Sequence, residues 1–232
     1  MIPNDMAMVI ADIQSRIRNA ATAAGRDPGL VRIVGVGKTV SAERIEAGIR
    51  AGLAIISESY IQEAREKHAT LSRHPISYHF IGHLQSNKAK YAVRMFDLIH
   101  SVDSVHLAEA LNREAEKLGK VQDILIQVNI GDEASKSGVA VEDALPLARS
   151  IGALPHLRLH GLMAIPPVFD SPEEARPAFR TLRLLSEEIA AEAIPGVAMT
   201  ELSMGMSGDF EAAVEEGATL VRIGTAIFGD RP

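Results

Sequence analysis

The sequence predicts an α/β fold, a single (β/α)8 TIM barrel with an extra N-terminal helix. Three observations predict it. Eight strand-sized apolar runs alternate with helix-like segments, which implies βαβ units and a parallel sheet. Runs such as Ile124-Leu-Ile-Gln-Val-Asn-Ile130 lack a clean polar face, as expected when both sides of the sheet are covered. Eight such units in 232 residues fit a closed barrel better than an open doubly wound sheet, the second choice.

Taken in order, residues 3–25 show helical periodicity, with Met6, Val9, Ile10, Ile13 and Ile17 on one stripe. Val31–Gly37 is too short for a buried helix and rich in β-branched residues, so it is the first strand. Ser41 opens the next helix as its cap, with Glu43 in the first turn near the positive end of the dipole. Further strand runs are Leu53–Ser57, Tyr78–Gly82, Leu98–Val102, Ile124–Ile130, Leu157–Ile165, Thr200–Met204 and Thr219–Phe228. Helices are expected over 60–72, 86–95, 104–118, 141–152, 172–193 and 209–216. The last strand run leaves no room for an eighth helix, and the N-terminal helix is expected to cover that gap. The proline-rich stretch 165–172 lies inside one βα unit and reads as a loop. With no linker in sight, residues 1–232 are expected to form one domain.

Composition narrows the function. A formal net charge of −6, 47% hydrophobic and 23% charged residues describe a globular chain and exclude intrinsic disorder. Net acidity with 4% aromatics speaks against nucleic-acid binding. The absence of cysteine excludes disulfides, thiol catalysis and cysteine-based metal sites. No basic leader and no long uncharged apolar run are present, so no membrane association and a cytoplasmic location are expected.

On such a barrel the working face is the C-terminal end of the strands. Lys38 lies there, and strand alternation puts it on the same side as Val34 and Val36. It reads either as a solvated lysine opening a loop or as an amine in a poorly solvated mouth, able to attack an aldehyde. Gly35 and Gly37 are expected to leave room there for a flat ring. At the far end of the chain, Thr219–Gly229 is an apolar strand interrupted by Arg222, Gly224 and Thr225. An arginine in such a strand needs a partner. Just upstream, Leu202-Ser-Met-Gly-Met-Ser-Gly-Asp209 leads into a helix through small residues, the pattern of an anion site. The two loops sit where barrel enzymes bind phosphate, and ordinary tight turns are the competing reading.

Other residues carry less. Asn87 and Lys88 suit a helix start capped by Ser86, and 135–138 suits an exposed turn. His79, His83, His100 and His160 show no metal spacing and read as satisfied histidines, so no metal is expected. Met163, Met204 and Met206 are candidates to line a pocket or to fill core. No Ser-His-Asp arrangement, dinucleotide fingerprint or Walker pattern is legible.

Several of these runs together resemble the YggS-like, or PROSC-like, family of pyridoxal phosphate homeostasis proteins. They are Val36-Gly-Lys-Thr39, His79-Phe-Ile-Gly-His-Leu-Gln-Ser-Asn-Lys88, Gln127-Val-Asn-Ile130 with Lys136-Ser-Gly138, Gly161-Leu-Met-Ala-Ile-Pro166, Leu202–Ser207 and Val221–Gly229. The resemblance implies a barrel similar to the N-terminal domain of alanine racemase, with pyridoxal 5′-phosphate held as a Schiff base on Lys38. It implies Arg222 near the pyridine nitrogen, and Ser207, Gly224 and Thr225 on the phosphate. It also implies cofactor and amino-acid homeostasis without established turnover, with apo-enzymes as recipients and a monomeric or homodimeric state. The family commonly reads Phe-Gly-Glu-Asn-Tyr where this chain has Ile56-Ser-Glu-Ser-Tyr60. A glycine with positive φ would make Ser57 costly, and Ser59 is shorter than asparagine. Gly37 stands where a serine is frequent. The alternative is a pyridoxal phosphate-dependent amino-acid racemase, which would need a second acid. Tyr60, Tyr78 and Tyr91 are the only tyrosines, and none follows the phosphate loops.

Overall fold

Strands and helices alternate along the computed structural model, which describes residues 3–131, 137–167, 169 and 171–229. The elements are α1 (Pro3–Ala23), β1 (Arg32–Val36), α2 (Ala42–Arg50), β2 (Ile55–Glu58), α3 (Ile61–Leu71), β3 (Ser77–Phe80), α4 (Ala89–Met95) and β4 (Leu98–Val102). They continue with α5 (Val105–Lys117), β5 (Gln122–Val128), α6 (Ala144–Gly152), β6 (Leu157–Ala164), α7 (Pro172–Ala191), β7 (Val197–Met206), α8 (Phe210–Glu215), β8 (Leu220–Ile223) and α9 (Thr225–Phe228). Each strand pairs in parallel with the next, and β8 returns to β1 with Val34 opposite Arg222, closing the barrel. The expected (β/α)8 fold with its extra first helix is what forms.

Two apolar cores follow from the strand period of two. Outward residues and the helix faces make one continuous core that includes Ile56, Phe80, Ile99, Ile124 and Phe179. Inward residues from six strands make a smaller plug of Val34, Ile55, Leu98, Leu125, Met163 and Leu220. Two residues further along their strands the interior turns polar, with His100 after Leu98 and Arg222 after Leu220. This polar layer lies beneath the C-terminal mouth.

Helix α1 buries the stripe Met6, Ile10, Ile13 and Ile17. Arg16 binds Glu211 through Nε at 3.0 Å and Nη2 at 2.7 Å and lies over the Phe210 ring. Arg26 donates to the carbonyls of Val214, Gly217 and Ala218. The helix after β8 is a single turn of four residues, so α1 takes the covering position on that side. Among the described residues, no helix is long and apolar enough to cross a membrane.

Two local expectations are corrected. The strand read over Thr219–Phe228 stops at Ile223, because Gly224 turns the chain at φ −113°, ψ −81°. Its carbonyl then accepts from the amides of Ile227 and Phe228, which closes the turn. Ser86 caps no helix: residues 86–88 form a 3-10 turn, and its hydroxyl lies 3.0 Å from His106 Nε2. Ser41 does cap α2, accepting from the Arg44 amide.

Candidate functional site

Lys38 lies two residues past the end of β1 and continues the inward alternation of Val34 and Val36. Its side chain is half-buried at the mouth. There it borders a cavity of about 250 Å³ whose wall also includes Ser207, Arg222, Gly224 and Thr225. The sequence-picked residues from β1, the β7 loop and β8 thus meet in one place. Val36, Ile81 and Ile165 supply apolar wall, and Ser59 adds a hydroxyl. A second cavity, about 390 Å³, shares Lys38, Gly224 and Thr225 but extends toward Arg44, away from Ser207 and Arg222.

Arg222 is 3% exposed. Its Nη1 donates to the Ser203 carbonyl at 2.6 Å and to Ser203 Oγ at 2.8 Å, and Nη2 donates to the Ala164 carbonyl at 2.8 Å. Burial lowers its pKa to about 10, opposed by Asp209, so the guanidinium remains charged at neutral pH. Behind it runs a line of buried polar contacts. Ser203 Oγ is 2.9 Å from His100 Nδ1, and His100 Nε2 is 2.9 Å from His79 Nδ1. His79 Nε2 is 2.9 Å from Ser77 Oγ at the start of β3. Burial holds both imidazoles neutral, lowering His79 to about 3 and His100 in the same direction. A neutral imidazole donates at one nitrogen and accepts at the other, so the line has one direction throughout.

The loop before α8 is shaped by Asp209, whose Oδ1 accepts from the Met206 amide at 2.6 Å. This brings Ser207 beside β8, where Thr225 Oγ1 donates to Ser207 Oγ at 3.4 Å. The helix-dipole part of the anion-site expectation falls away, because α8 and α9 are only six and four residues long. What remains is the pair of hydroxyls with the amides of the turns.

Gly35 and Gly37 do not line the mouth. A Cβ on Gly35 would lie 2.8 Å from Leu53 Cδ1, and one on Gly37 2.8 Å from Glu58 Oε1. Alternation turns both away from Lys38, toward the helix-covered side. Ser57 is an ordinary residue of β2: among the described residues only Thr39 and Ala193 combine a side chain with positive φ. Met206 borders the cavity, whereas Met163 and Met204 fill core. Lys88 lies over the Tyr91 ring, away from the cavity. Ser135 and Lys136 fall outside the described residues. Among the described residues, no group of three or more His, Asp or Glu could hold a metal ion. Sequence reasoning left out Ser59 as a wall residue and passed over Lys67 and Glu63, which hold the peptides around Lys38.

A family model described as the alanine racemase N-terminal domain matches residues 10–232. A pyridoxal phosphate homeostasis protein of Aquifex aeolicus is 43% identical over 222 residues, 96% of this chain and 96% of that one. An unknown protein from Bifidobacterium adolescentis has a crystal structure that matches with a TM-score of 0.90 at 36% identity, over 97% of this chain and 95% of that one. The structure of PipY from Synechococcus elongatus with pyridoxal phosphate bound matches with a TM-score of 0.84 at 35% identity, over 97% of this chain and 100% of that one. Barrel, loops and sequence agree along nearly the whole length, and the chain belongs to the family of pyridoxal phosphate homeostasis proteins.

Proposed function

We propose that this chain binds pyridoxal 5′-phosphate at the mouth of the barrel, as a Schiff base on Lys38. In this reading the whole chain acts as one cofactor-holding unit in the cytoplasm, keeping the free aldehyde low and supplying it to apo-enzymes. The observation that carries the reading is the meeting of an amine, three hydroxyls and a buried guanidinium on one cavity. That donor set fits a ring bearing both an aldehyde and a phosphate. The cofactor, when bound, supplies an aldehyde that condenses reversibly with an amine and releases water.

The chain's own residues divide the work. Lys38 presents Nζ from the end of β1, and Ser207, Gly224 and Thr225 offer donors to the phosphate. Arg222 keeps a fixed positive charge under the cavity floor, held by the carbonyls of Ser203 and Ala164. A guanidinium facing the ring nitrogen disfavours its protonation and leaves a weaker electron sink than a carboxylate partner would. This supports holding over turnover. The racemase reading gains nothing here, since none of the three tyrosines borders the cavity. The relative from Aquifex aeolicus is named for homeostasis, and PipY has been seen with the cofactor, which supports the same reading.

The test is an absorbance titration of the purified protein and of Lys38→Ala with pyridoxal phosphate. The parent is expected to develop a visible band, and the folded variant to lack it while keeping weaker, phosphate-dependent binding. A band of equal size in the variant would move the amine elsewhere.

A further inference from the structure

The peptide groups on both sides of Lys38 are held from α3, a helix that contributes no residue to the cavity. On one side, the Gly37 carbonyl accepts from Lys67 Nζ at 2.8 Å. On the other, the Thr39 amide donates to Glu63 Oε2 at 2.8 Å. Lys67 joins the two, because Nζ also donates to Glu58 Oε1 at 2.8 Å and to Glu63 Oε2 at 3.1 Å. An ammonium has three donors, and all three are engaged. The Lys67 side chain is 11% exposed and Glu58 is fully buried, so solvent and salt screen that pair little, whereas Glu63 is partly exposed.

The backbone around Lys38 is shaped to the same cluster. Thr39 sits at φ 62°, a left-handed conformation that a residue with a branched side chain adopts at a cost. Its bond to Glu63 holds it there. At residue 37 a Cβ would lie 2.8 Å from Glu58 Oε1 and 2.9 Å from Ile45 Cδ1, so glycine makes room for the buried carboxylate. Three consecutive residues, with Lys38 in the middle, therefore fit around groups that lie outside the cavity.

We propose that Lys67, Glu58 and Glu63 form a positioning cluster for Lys38, clamping its two flanking peptides so that Nζ is presented to an aldehyde in the cavity. This rests on the reading that Lys38 is the reacting amine. A fixed backbone removes misaligned orientations of the amine before reaction, which favours covalent capture without adding any contact to the ligand. The cluster therefore acts on aldehyde ligands and leaves contacts to the phosphate and ring alone.

The experiment compares two ligands in the parent, Lys67→Met, Glu63→Ala and Glu63→Gln. Pyridoxal phosphate carries the aldehyde, and pyridoxine phosphate carries an alcohol in its place. Borohydride trapping with peptide mapping reports the rate of capture on Lys38, and amide exchange at Thr39 in the ligand-free protein reads the clamp directly. In Lys67→Met and Glu63→Ala, aldehyde affinity and trapping rate are expected to fall about tenfold, the equivalent of the one charge-assisted hydrogen bond each residue makes to a peptide beside Lys38. Alcohol affinity should stay within about twofold of the parent by the same conversion, and Thr39 exchange should speed up in Glu63→Ala. Glu63→Gln keeps the acceptor for Thr39 and should restore most of the loss. Equal weakening of both ligands would make the cluster merely structural, and unchanged trapping in both variants would remove it from the site; either result overturns the proposal. A parent that traps nothing on Lys38 would instead refute the underlying reading, and the proposal with it.

Discussion

Arg222 and its neighbours show how a charge is kept inside a barrel. The guanidinium leans on two carbonyls and the Ser203 hydroxyl, and that hydroxyl is tied to His100 and through it to His79. Ser203→Ala deletes one acceptor for Arg222 and leaves His100 Nδ1 without its partner. The expected cost is about 1–3 kcal/mol in urea unfolding, and an unchanged midpoint would mean that the line of contacts contributes nothing net. Protonation gives a sharper test. His79 and His100 are lowered by burial, so the unfolded chain takes up their protons first as the pH falls. Their contribution is full above about 6.5 and drains away toward about 3. Glu58 has the opposite sign. Burial raises its carboxyl from 4.5 to about 7, against the pull of Lys67, so the folded chain favours the protonated acid. That contribution is full below 4.5 and is lost as the pH rises through about 7. The groups facing it are Lys67 and Glu63 from α3 and Tyr78 from β3. Relative to Glu58→Gln, the parent's unfolding free energy should fall from about pH 5 to about pH 8, while the two histidines raise both proteins alike up to about 6.5. Identical slopes would place the titrating group elsewhere.

Among the elements, α1 was the most legible, because its apolar stripe is long and regular. Ile13 in that stripe is 2% exposed against the core. Ile13→Ala should therefore cost about 2–5 kcal/mol, read as a lower urea midpoint at constant slope. A cost under about 0.5 kcal/mol, the range of surface substitutions, would mean that α1 is not the cover for the β8 side. The end of β8 was less legible, since Ile227 and Phe228 look like strand residues until Gly224 is seen to turn the chain. That Lys38, Arg222, Gly224, Thr225 and the loop holding Ser207 gather at one mouth was readable, because strand ends and glycine-rich loops mark themselves locally. Lys67 was not: its partner Gly37 is 30 residues away, and its only local mark is an i,i+4 spacing from Glu63 that ordinary helix surfaces share. The glycines before Lys38 misled for a related reason. Their small size was plain, but the face they open onto is set by alternation and by what β2 and α2 bring against them.

The whole molecule is a barrel whose lower interior is apolar and whose upper interior is polar. Hydrophobic runs in the sequence announce the first half of that statement. The second half depends on which inward residues from β3, β4, β7 and β8 share a layer. Strand stagger decides this, and the bulges between β4 and β8 shift it locally. His100 and Ser203 are 103 residues apart and meet only for that reason. The result is a cup with the Lys38 amine at its rim and the Arg222 guanidinium in its floor, suited to holding a flat phosphorylated aldehyde. In the proposed function, Lys38 is the amine that takes the aldehyde. Borohydride reduction of the protein loaded with pyridoxal phosphate, followed by peptide mass mapping, tests it most directly. A single pyridoxyl adduct on the peptide containing Lys38 is expected; an adduct on Lys88 or Lys136 instead, or none at all, would rule Lys38 out.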